Sequence, residues 1–555
     1  MKRVVGVVMG AVLLTATAAA PQEAEAQAQR GTAAQAHRGA AAAQVHRGLE
    51  WGPCEEEAGA GASAGDTTVL PREPDPGEPA VECATLRVPL DYREPYQTIS
   101  IALNRVRAQV SRDHNHLGAL LVNPGGPGAS GRSLARYIAA ALPEDLAGRF
   151  DVIGFDPRGV GRSEPALHCM DPAKHYAAPR PDAVPRDAAE ESALLDRARQ
   201  YAEACEMRWS WLLPHLTTEN SARDMDEIRR ALGEERISYL GYSYGTYLGA
   251  VYATLFPHRV KRLALDSVVD PRYVWYDSNL RQNIAFDRRH RAFLKWTARH
   301  NDVYRLGRTG KAVSFAWYST RERLRARPAG GLVGPSEFDD VYTIGGYSDA
   351  VWPQLAQALS AYVKRGETEP LLAAYRRYAA GDAESENGYA VYLGTQCRDA
   401  AWPRDWARWR ADTSAIHTRR PFMAWSNAWF NAPCAFWPER GVKPAQVRDH
   451  KLLPPVLLLQ SRHDAATPYA GALQLRRTFP RSRLVVEPGG NHGVSLVGNA
   501  CADRYLTSYL TDGTLPPAAS GAAGPDARCA ASPEPQPSQP SRQAVRVPLM
   551  AGWGR

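Results

Sequence analysis

The stretch ISYLGYSYGTYLGA at 237–250 decides how this chain folds. It opens with a short apolar run, Ile237 to Gly241, and passes at once into Gly241-Tyr242-Ser243-Tyr244-Gly245, a G-x-S-x-G pentapeptide. A short apolar run stopped by a glycine-rich turn reads as a buried strand. Thr246 to Thr254 then carry a helical pattern. A serine between glycines at a strand-to-helix turn is a nucleophile elbow, where the turn is strained and bulky neighbours would block it. Three fixed positions in five recur by chance. The strand before the motif and the helix after it set it apart from a glycine-rich packing turn.

Similar punctuation recurs on either side. Cys83 to Tyr92 and Ile99 to Val106 read as strands. His116 to Asn123 holds Ala-Leu-Leu-Val and stops at Pro124-Gly125-Gly126-Pro127-Gly128. Phe150 to Phe155 stops at Asp156-Pro157-Arg158-Gly159. Between them lie helical patterns; in Ala222 to Leu232, Met225, Ile228, Ala231 and Leu232 recur at helical spacing before Gly233. Val260 to Val269 is one more strand. Residues 271–450 then change character, rich in Trp, Tyr and Arg, with helical patterns such as Leu355 to Val363 and no clear strand. Pro455 to Gln460 and Arg483 to Glu487 resume the sheet. Short apolar runs alternating with helices imply an α/β fold, a mostly parallel sheet flanked by helices with a large helical cap inserted between late strands.

Three further elements complete a hydrolytic constellation. Acyl transfer needs two backbone N–H groups aimed at the developing oxyanion. In α/β-hydrolases one comes from the residue after the nucleophile, here Tyr244, and the other from the loop after the third strand. Gly126 is assigned that second role, with Gly125 as the alternative, because a Gly-Gly loop lets backbone approach substrate closely. The base is His492, in Pro488-Gly489-Gly490-Asn491-His492-Gly493 just past the last apolar strand. The acid is Asp464, directly after the Val-Leu-Leu-Leu strand, with Asp266 as rival and the neighbouring His463 read as structural. Ser243, Asp464 and His492 fall in the chain order Ser…Asp…His. In those roles His492 takes the serine proton and Asp464 holds the imidazole tautomer. No metal or cofactor is needed.

Composition and the chain ends narrow the setting. The 555 residues are 44% hydrophobic and 23% charged, ample for a large core. The net charge is +8, yet the basic residues are interleaved with acids, and no block of about five or six like charges marks a nucleic-acid tail. Lys2 and Arg3, the apolar stretch Val4 to Ala20 and the small-residue site Ala24-Glu25-Ala26 read as an export signal. The rival reading, a membrane anchor, is short of the ~20 residues a spanning helix needs. Eight cysteines fit export. Their spacing suggests four local pairs, Cys54–Cys83, Cys169–Cys205, Cys397–Cys434 and Cys501–Cys529. Without a C-x-x-C pair or a tight Cys/His cluster, a zinc site is not expected.

These features divide the chain into an export signal at 1–26, a low-complexity leader or propeptide at 27–50, and the first part of a hydrolase core at 51–270. The helical cap follows at 271–450, the C-terminal part of the core at 451–530, and a Pro-, Ser- and Gln-rich disordered tail at 531–555.

NPGGPGASG at 123–131, FDPRGVGRS at 155–163, GYSYGTYLGA at 241–250, LLLQSRHDAATP at 457–468 and GGNHG at 489–493 together make the chain resemble the secreted tripeptidyl aminopeptidases, relatives of proline iminopeptidase with a characteristic C-terminal region. The resemblance runs from about residue 50 to about residue 530. It implies a Ser-Asp-His triad, carried here by Ser243, Asp464 and His492, and a helical cap. One departure stands out. Proline iminopeptidases carry His before their Gly-Gly-Pro-Gly, where this chain has Asn123.

The expected activity is that of a secreted serine exopeptidase, releasing tripeptides from peptides with a free N-terminus. Glu337, Asp339, Asp340 and Asp349 of the cap are candidates to bind the substrate α-ammonium. The cap aromatics would line an apolar pocket. No nucleic acid and no stable membrane insertion are expected, and a monomer is favoured. An iminopeptidase, an esterase or lipase on the same fold, or a secreted binding protein without activity are the competing readings.

Overall fold

The structure, a computed structural model, describes residues 48–54, 80–519 and 524–537. The export signal expected at 1–26, the leader up to residue 47 and the tail beyond 537 lie outside the described residues.

The apolar runs become β1 (Gly52–Pro53), β2 (Val81–Asp91), β3 (Glu94–Val106), β4 (Ala119–Asn123), β5 (Asp151–Phe155), β6 (Ile237–Tyr242), β7 (Val260–Asp266), β8 (Leu457–Ser461), β9 (Arg483–Glu487) and β10 (Ala527–Arg528). They form one sheet in the order β1-β2-β3-β5-β4-β6-β7-β8-β9-β10. From β5 to β10 every pairing is parallel, whereas β1, β2 and β3 join antiparallel. The side-chain patterns explain the difference. In β4 all five residues, Ala-Leu-Leu-Val-Asn, are buried, as a strand covered on both faces requires. In β2, Leu86 and Val88 point inward and Arg87 outward, the alternation of a sheet edge with one wet face. β3 begins earlier than its apolar run because the tight turn after Asp91 pairs Asp91 with Glu94.

Helices α1 (Gly131–Ala141), α2 (Ala188–Trp209), α3 (Thr218–Ala231) and α4 (Tyr244–Leu255) precede the insertion. α3 and α4 cover one face of the sheet, with Met225, Ile228, Leu248 and Val251 against Leu121, Ile153 and Leu263. α1 covers the other, with Leu134 and Ile138 against Val122 and Val152. The insertion between β7 and β8 is mostly helical, with an irregular stretch at 437–456: α5 (Tyr276–Arg299), α6 (Gly310–Ala326), α7 (Pro335–Tyr347), α8 (Trp352–Arg365), α9 (Glu369–Tyr378), α10 (Ala383–Asp399), α11 (Trp406–His417) and α12 (Ala424–Asn431). It has an apolar core of its own, built on Phe286, Trp296, Trp317, Phe338 and Leu355. The aromatics of this stretch therefore serve first as cap core.

The insertion does not make the cap alone. The chain between β5 and β6 sends out α2, which packs against α12. Trp406 Nε1 donates to Glu191 of α2 at 2.6 Å, and Trp429 Nε1 to the Ala183 carbonyl at 2.8 Å. At the start of α2, Asp187 accepts from the Glu190 N–H as its N-cap. The four cysteine pairs read from spacing are the four disulfides of the structure. Each restricts the unfolded chain by an amount on the order of 2–4 kcal/mol. Of the tail expected to be disordered, residues 531–537 are described, and Trp296 Nε1 donates to the Pro535 carbonyl at 3.2 Å.

Candidate active site

Ser243 stands between β6 and α4 with φ 56° and ψ −126°. For a residue with a Cβ this is a strained conformation, and such strain concentrates at functional sites. The flanking glycines allow the turn to close. A Cβ on Gly241 would lie 2.5 Å from the Gly245 carbonyl, and one on Gly245 would lie 2.7 Å from the Asn123 carbonyl. Ser243 is 3% exposed. Tyr244 is the first residue of α4, so its N–H has no acceptor within the helix.

Asn123 distinguishes the two glycines of the facing loop by occupying the N–H of one of them. Its Oδ1 accepts from the Gly125 N–H at 3.0 Å, so that N–H is already taken. Gly125 itself, at φ +105°, would place a Cβ 2.7 Å from the Tyr242 carbonyl and 2.9 Å from the Tyr244 nitrogen. The loop thus presses directly on the elbow. Gly126, Ser243 and Tyr244 line one cavity together. The Asn123 side chain thus fixes the loop through its oxygen.

His492 and Asp464 meet as the sequence order suggested. The His492 Nδ1 lies 2.9 and 3.0 Å from the two Asp464 oxygens. A carboxylate on Nδ1 assigns the proton to that nitrogen and leaves Nε2 as the basic one. Asp464 is held in turn by the Thr467 N–H at 3.0 Å and the Thr467 hydroxyl at 2.9 Å. Both members of the pair are buried, at 2% and 5% exposure.

The rival carboxylate, Asp266, has a different task. It lies fully buried at the end of β7 and accepts from the Val494 N–H, the Ser495 N–H at 2.8 Å and the Ser495 hydroxyl at 2.6 Å. Burial pushes its carboxyl above the usual range, against these hydrogen bonds. The next hydroxyl, of Ser267, accepts from the Gly493 N–H at 2.7 Å, while the Asp266 carbonyl accepts from the Ser243 N–H at 3.0 Å. One dipeptide therefore anchors both the serine elbow and the histidine loop. The cap holds that loop from the other side: the His492 N–H donates to the Tyr347 carbonyl at 2.7 Å, and the Asp349 N–H to Asn491 Oδ1 at 2.9 Å.

Trp275, Tyr392 and Phe430 form the apolar wall of the Ser243 cavity. Gln396 also lines it, and its buried side-chain oxygen has no hydrogen-bond partner among the described residues. Sequence reasoning missed this residue, because one glutamine in a helix carries no signal of its own. The four acidic candidates lie elsewhere. Glu337 bonds Arg180 at 2.9 Å, Asp339 bonds Arg321 at 2.8 Å, Asp340 bonds Arg180, and Asp349 faces Arg289 at 3.9 Å. None of the four lines the Ser243 cavity. Among the described residues no group of His, Cys, Asp and Glu is arranged to hold a metal ion.

The model of the α/β hydrolase fold family matches residues 118–499. A tripeptidyl aminopeptidase of Streptomyces coelicolor is 45% identical over 444 residues, covering 78% of this chain and 82% of that relative. The serine protease Hip1 of Mycobacterium tuberculosis is 31% identical over 491 residues, with 84% and 90% covered. A protein of the same organism named carboxylesterase B is 32% identical over 489 residues, with 83% and 92% covered.

Proposed function

Because this chain belongs to the tripeptidyl aminopeptidase family of α/β hydrolases, and is a serine peptidase on that fold, we propose that Ser243, His492 and Asp464 are its catalytic triad and that it releases tripeptides from the free N-terminus of secreted or extracellular peptides. The observation that carries the reading is the buried Asp464–His492 pair on a loop anchored by the same Asp266–Ser267 dipeptide that holds the Ser243 backbone.

In this mechanism His492 Nε2 takes the Ser243 proton as Oγ attacks the scissile carbonyl. The tetrahedral oxyanion forms between the Gly126 and Tyr244 N–H groups, where preorganised donors act in a site screened from water. The imidazolium gives its proton to the leaving amine, and an acyl-enzyme remains on Ser243. Water, deprotonated by the same imidazole, then releases the short peptide. Asp464 keeps the ring in one tautomer and stabilises its cationic form. Four disulfides support an extracellular setting, and no described helix is long and apolar enough to cross a membrane.

The relative named carboxylesterase B favours a second reading, hydrolysis of esters in the same cleft. Turnover of Ala-Ala-Ala-p-nitroanilide against a short-chain p-nitrophenyl ester separates the two. The proposal expects a free tripeptidyl nitroanilide to be cleaved with tripeptide as product, and its N-acetylated form to be cleaved poorly. Rapid ester turnover with no peptide cleavage would overturn it. Fluorophosphonate labelling that persists in Ser243→Ala would remove the nucleophile assignment.

A further inference from the structure

A second cavity adjoins the catalytic one, and Tyr389 and Phe430 stand in the wall of both. It lies between α2, with the segment leading into it, and the cap helices α7, α10 and α12. Its charged lining is Arg180, Arg197 and Asp340. Arg180 is answered within the protein, by Glu337 at 2.9 Å and by Asp340. Arg197 is not. Its guanidinium donates to the carbonyl oxygen of His175, and among the described residues no carboxylate lies within ion-pair distance of it. Burial, and the Arg180 guanidinium nearby, push its pKa down.

A second group in the same cavity lacks a partner. Tyr176 is 8% exposed, and its hydroxyl makes no hydrogen bond among the described residues. His175 beside it is kept neutral, its pKa pushed down to about 3 by burial and by Arg197 and Arg180. A half-buried cation without a counter-charge and a buried hydroxyl without an acceptor leave a desolvation cost that the folded chain does not recover. An acceptor-only ligand with one negative charge would answer both.

We propose that this cavity is a carboxylate subsite that takes an acidic side chain of the substrate on the N-terminal side of the scissile bond, an inference that rests on reading the Ser243 cleft as a peptidase site. The shared wall gives the route: a peptide acylating Ser243 would pass Tyr389 and Phe430 to reach Arg197. Asp340 does not compete for this role, because Arg180 holds it.

The test uses the whole chain carrying Ser243→Ala, so that binding is measured without turnover. Glu-Ala-Ala, Gln-Ala-Ala and Lys-Ala-Ala are titrated calorimetrically, with Ala-Glu-Ala, Ala-Gln-Ala and Ala-Lys-Ala as the second register. At one of the two positions Glu is expected to bind about tenfold or more tightly than Gln, the size of one charge-assisted contact. Adding Arg197→Gln should bring that ratio to near one. Tyr176→Phe should lower it severalfold, and covers the case in which the arginine variant fails to fold. Equal affinities at both positions, a preference for Lys, or no tripeptide binding overturns the subsite. So does glutarate binding as tightly as the Glu peptide, which would make the ligand a free carboxylate. Selective binding by Ser243→Ala, combined with no cleavage of tripeptidyl nitroanilides by the wild type, would sink the peptidase reading and leave the subsite standing.

Discussion

The strand ends that carry the candidate site and the cap both bury carboxylates, but they satisfy most of them by different means. At the C-terminal ends of the core strands the partners are mainly N–H and O–H groups. Asp266 is answered by Val494, Ser495 and Ser267, Asp464 by Thr467 and His492, and Glu487 by the Gly489 N–H at 2.7 Å. In the cap most partners are arginines: Arg321 grips Asp339 and Asp182, Arg180 grips Glu337 and Asp340, and Arg291 and Arg420 share Asp287, while Glu386 is held by the Cys169 and Met170 N–H groups, the Tyr201 hydroxyl and His168. Short, directional donors fix a loop to a fraction of an ångström. The long guanidinium fork instead joins elements far apart in sequence and tolerates small shifts. The core arrangement suits holding a nucleophile, an acid and a base in register; the cap arrangement suits stapling helices into a wall. The chain's basic residues are accordingly almost all arginine, with eight lysines among 67.

The contrast predicts that the strand-end carboxylates govern rate and the arginine pairs of the cap govern stability. The largest effect is expected from Asp464→Asn. Its geometry is retained while the wrong imidazole tautomer is favoured, so the proposed triad role requires kcat to fall by about 10⁴ with little change in Tm. A loss of tenfold or less would reassign the acid. Asp266→Asn should fall between the two classes. One oxygen becomes an NH2 group facing the N–H donors of the histidine loop, so at least one buried donor loses its acceptor, at a cost of about 1–3 kcal/mol. Displacing His492 should lower kcat by about 10²-fold. Stopped-time assays with tripeptidyl nitroanilide, beside thermal unfolding, would detect both changes; an altered Tm at unchanged kcat would break the link between Asp266 and the base.

Arg321→Met tests the cap side. It leaves Asp339 buried and without its cation, which should cost about 3–5 kcal/mol in denaturant unfolding. The folded fraction should keep kcat/KM to within about twofold. A large loss of kcat at unchanged stability would contradict the division between the two regions.

The same division describes what could be read from the sequence. The core was legible because its information is local. Each strand is a short apolar run, and each functional loop is a glycine- or proline-bearing motif directly after it, as at 123–128, 241–245 and 489–493. The cap was legible only as helical. Which arginine meets which carboxylate depends on pairs such as Arg180 with Glu337 and Arg321 with Asp182, more than a hundred positions apart, and spacing does not encode them. For that reason four cap carboxylates looked available for an ammonium group when each had an arginine. The contribution of α2 to the cap was missed, because spacing does not reveal what a helix packs against.

Asp399 offers the finest test, since it is a cap carboxylate satisfied in the manner of the core. It ends α10, and its oxygens accept from the Thr218 N–H at 2.8 Å, the Thr218 hydroxyl at 2.5 Å and Trp275 Nε1 at 3.4 Å. The Thr218 hydroxyl in turn lies 2.6 Å from the Tyr244 hydroxyl, beside the elbow. Burial raises the Asp399 pKa from 3.8 to about 6, outweighing these bonds and the charge of Arg398. A folded pKa above the unfolded one means that the folded chain binds more protons between those values. Stability is therefore greatest below about pH 3.8 for this group, and falls as pH rises to about 6. Two pH units of difference correspond to at most about 3 kcal/mol. Asp399→Asn cannot titrate. Its Tm relative to wild type should rise from pH 4 to pH 6 and then level off, whatever constant offset the altered hydrogen bonds introduce. Parallel Tm profiles across that window would mean that Asp399 is ionised throughout, and that donors without an arginine suffice to hold a buried charge in the cap.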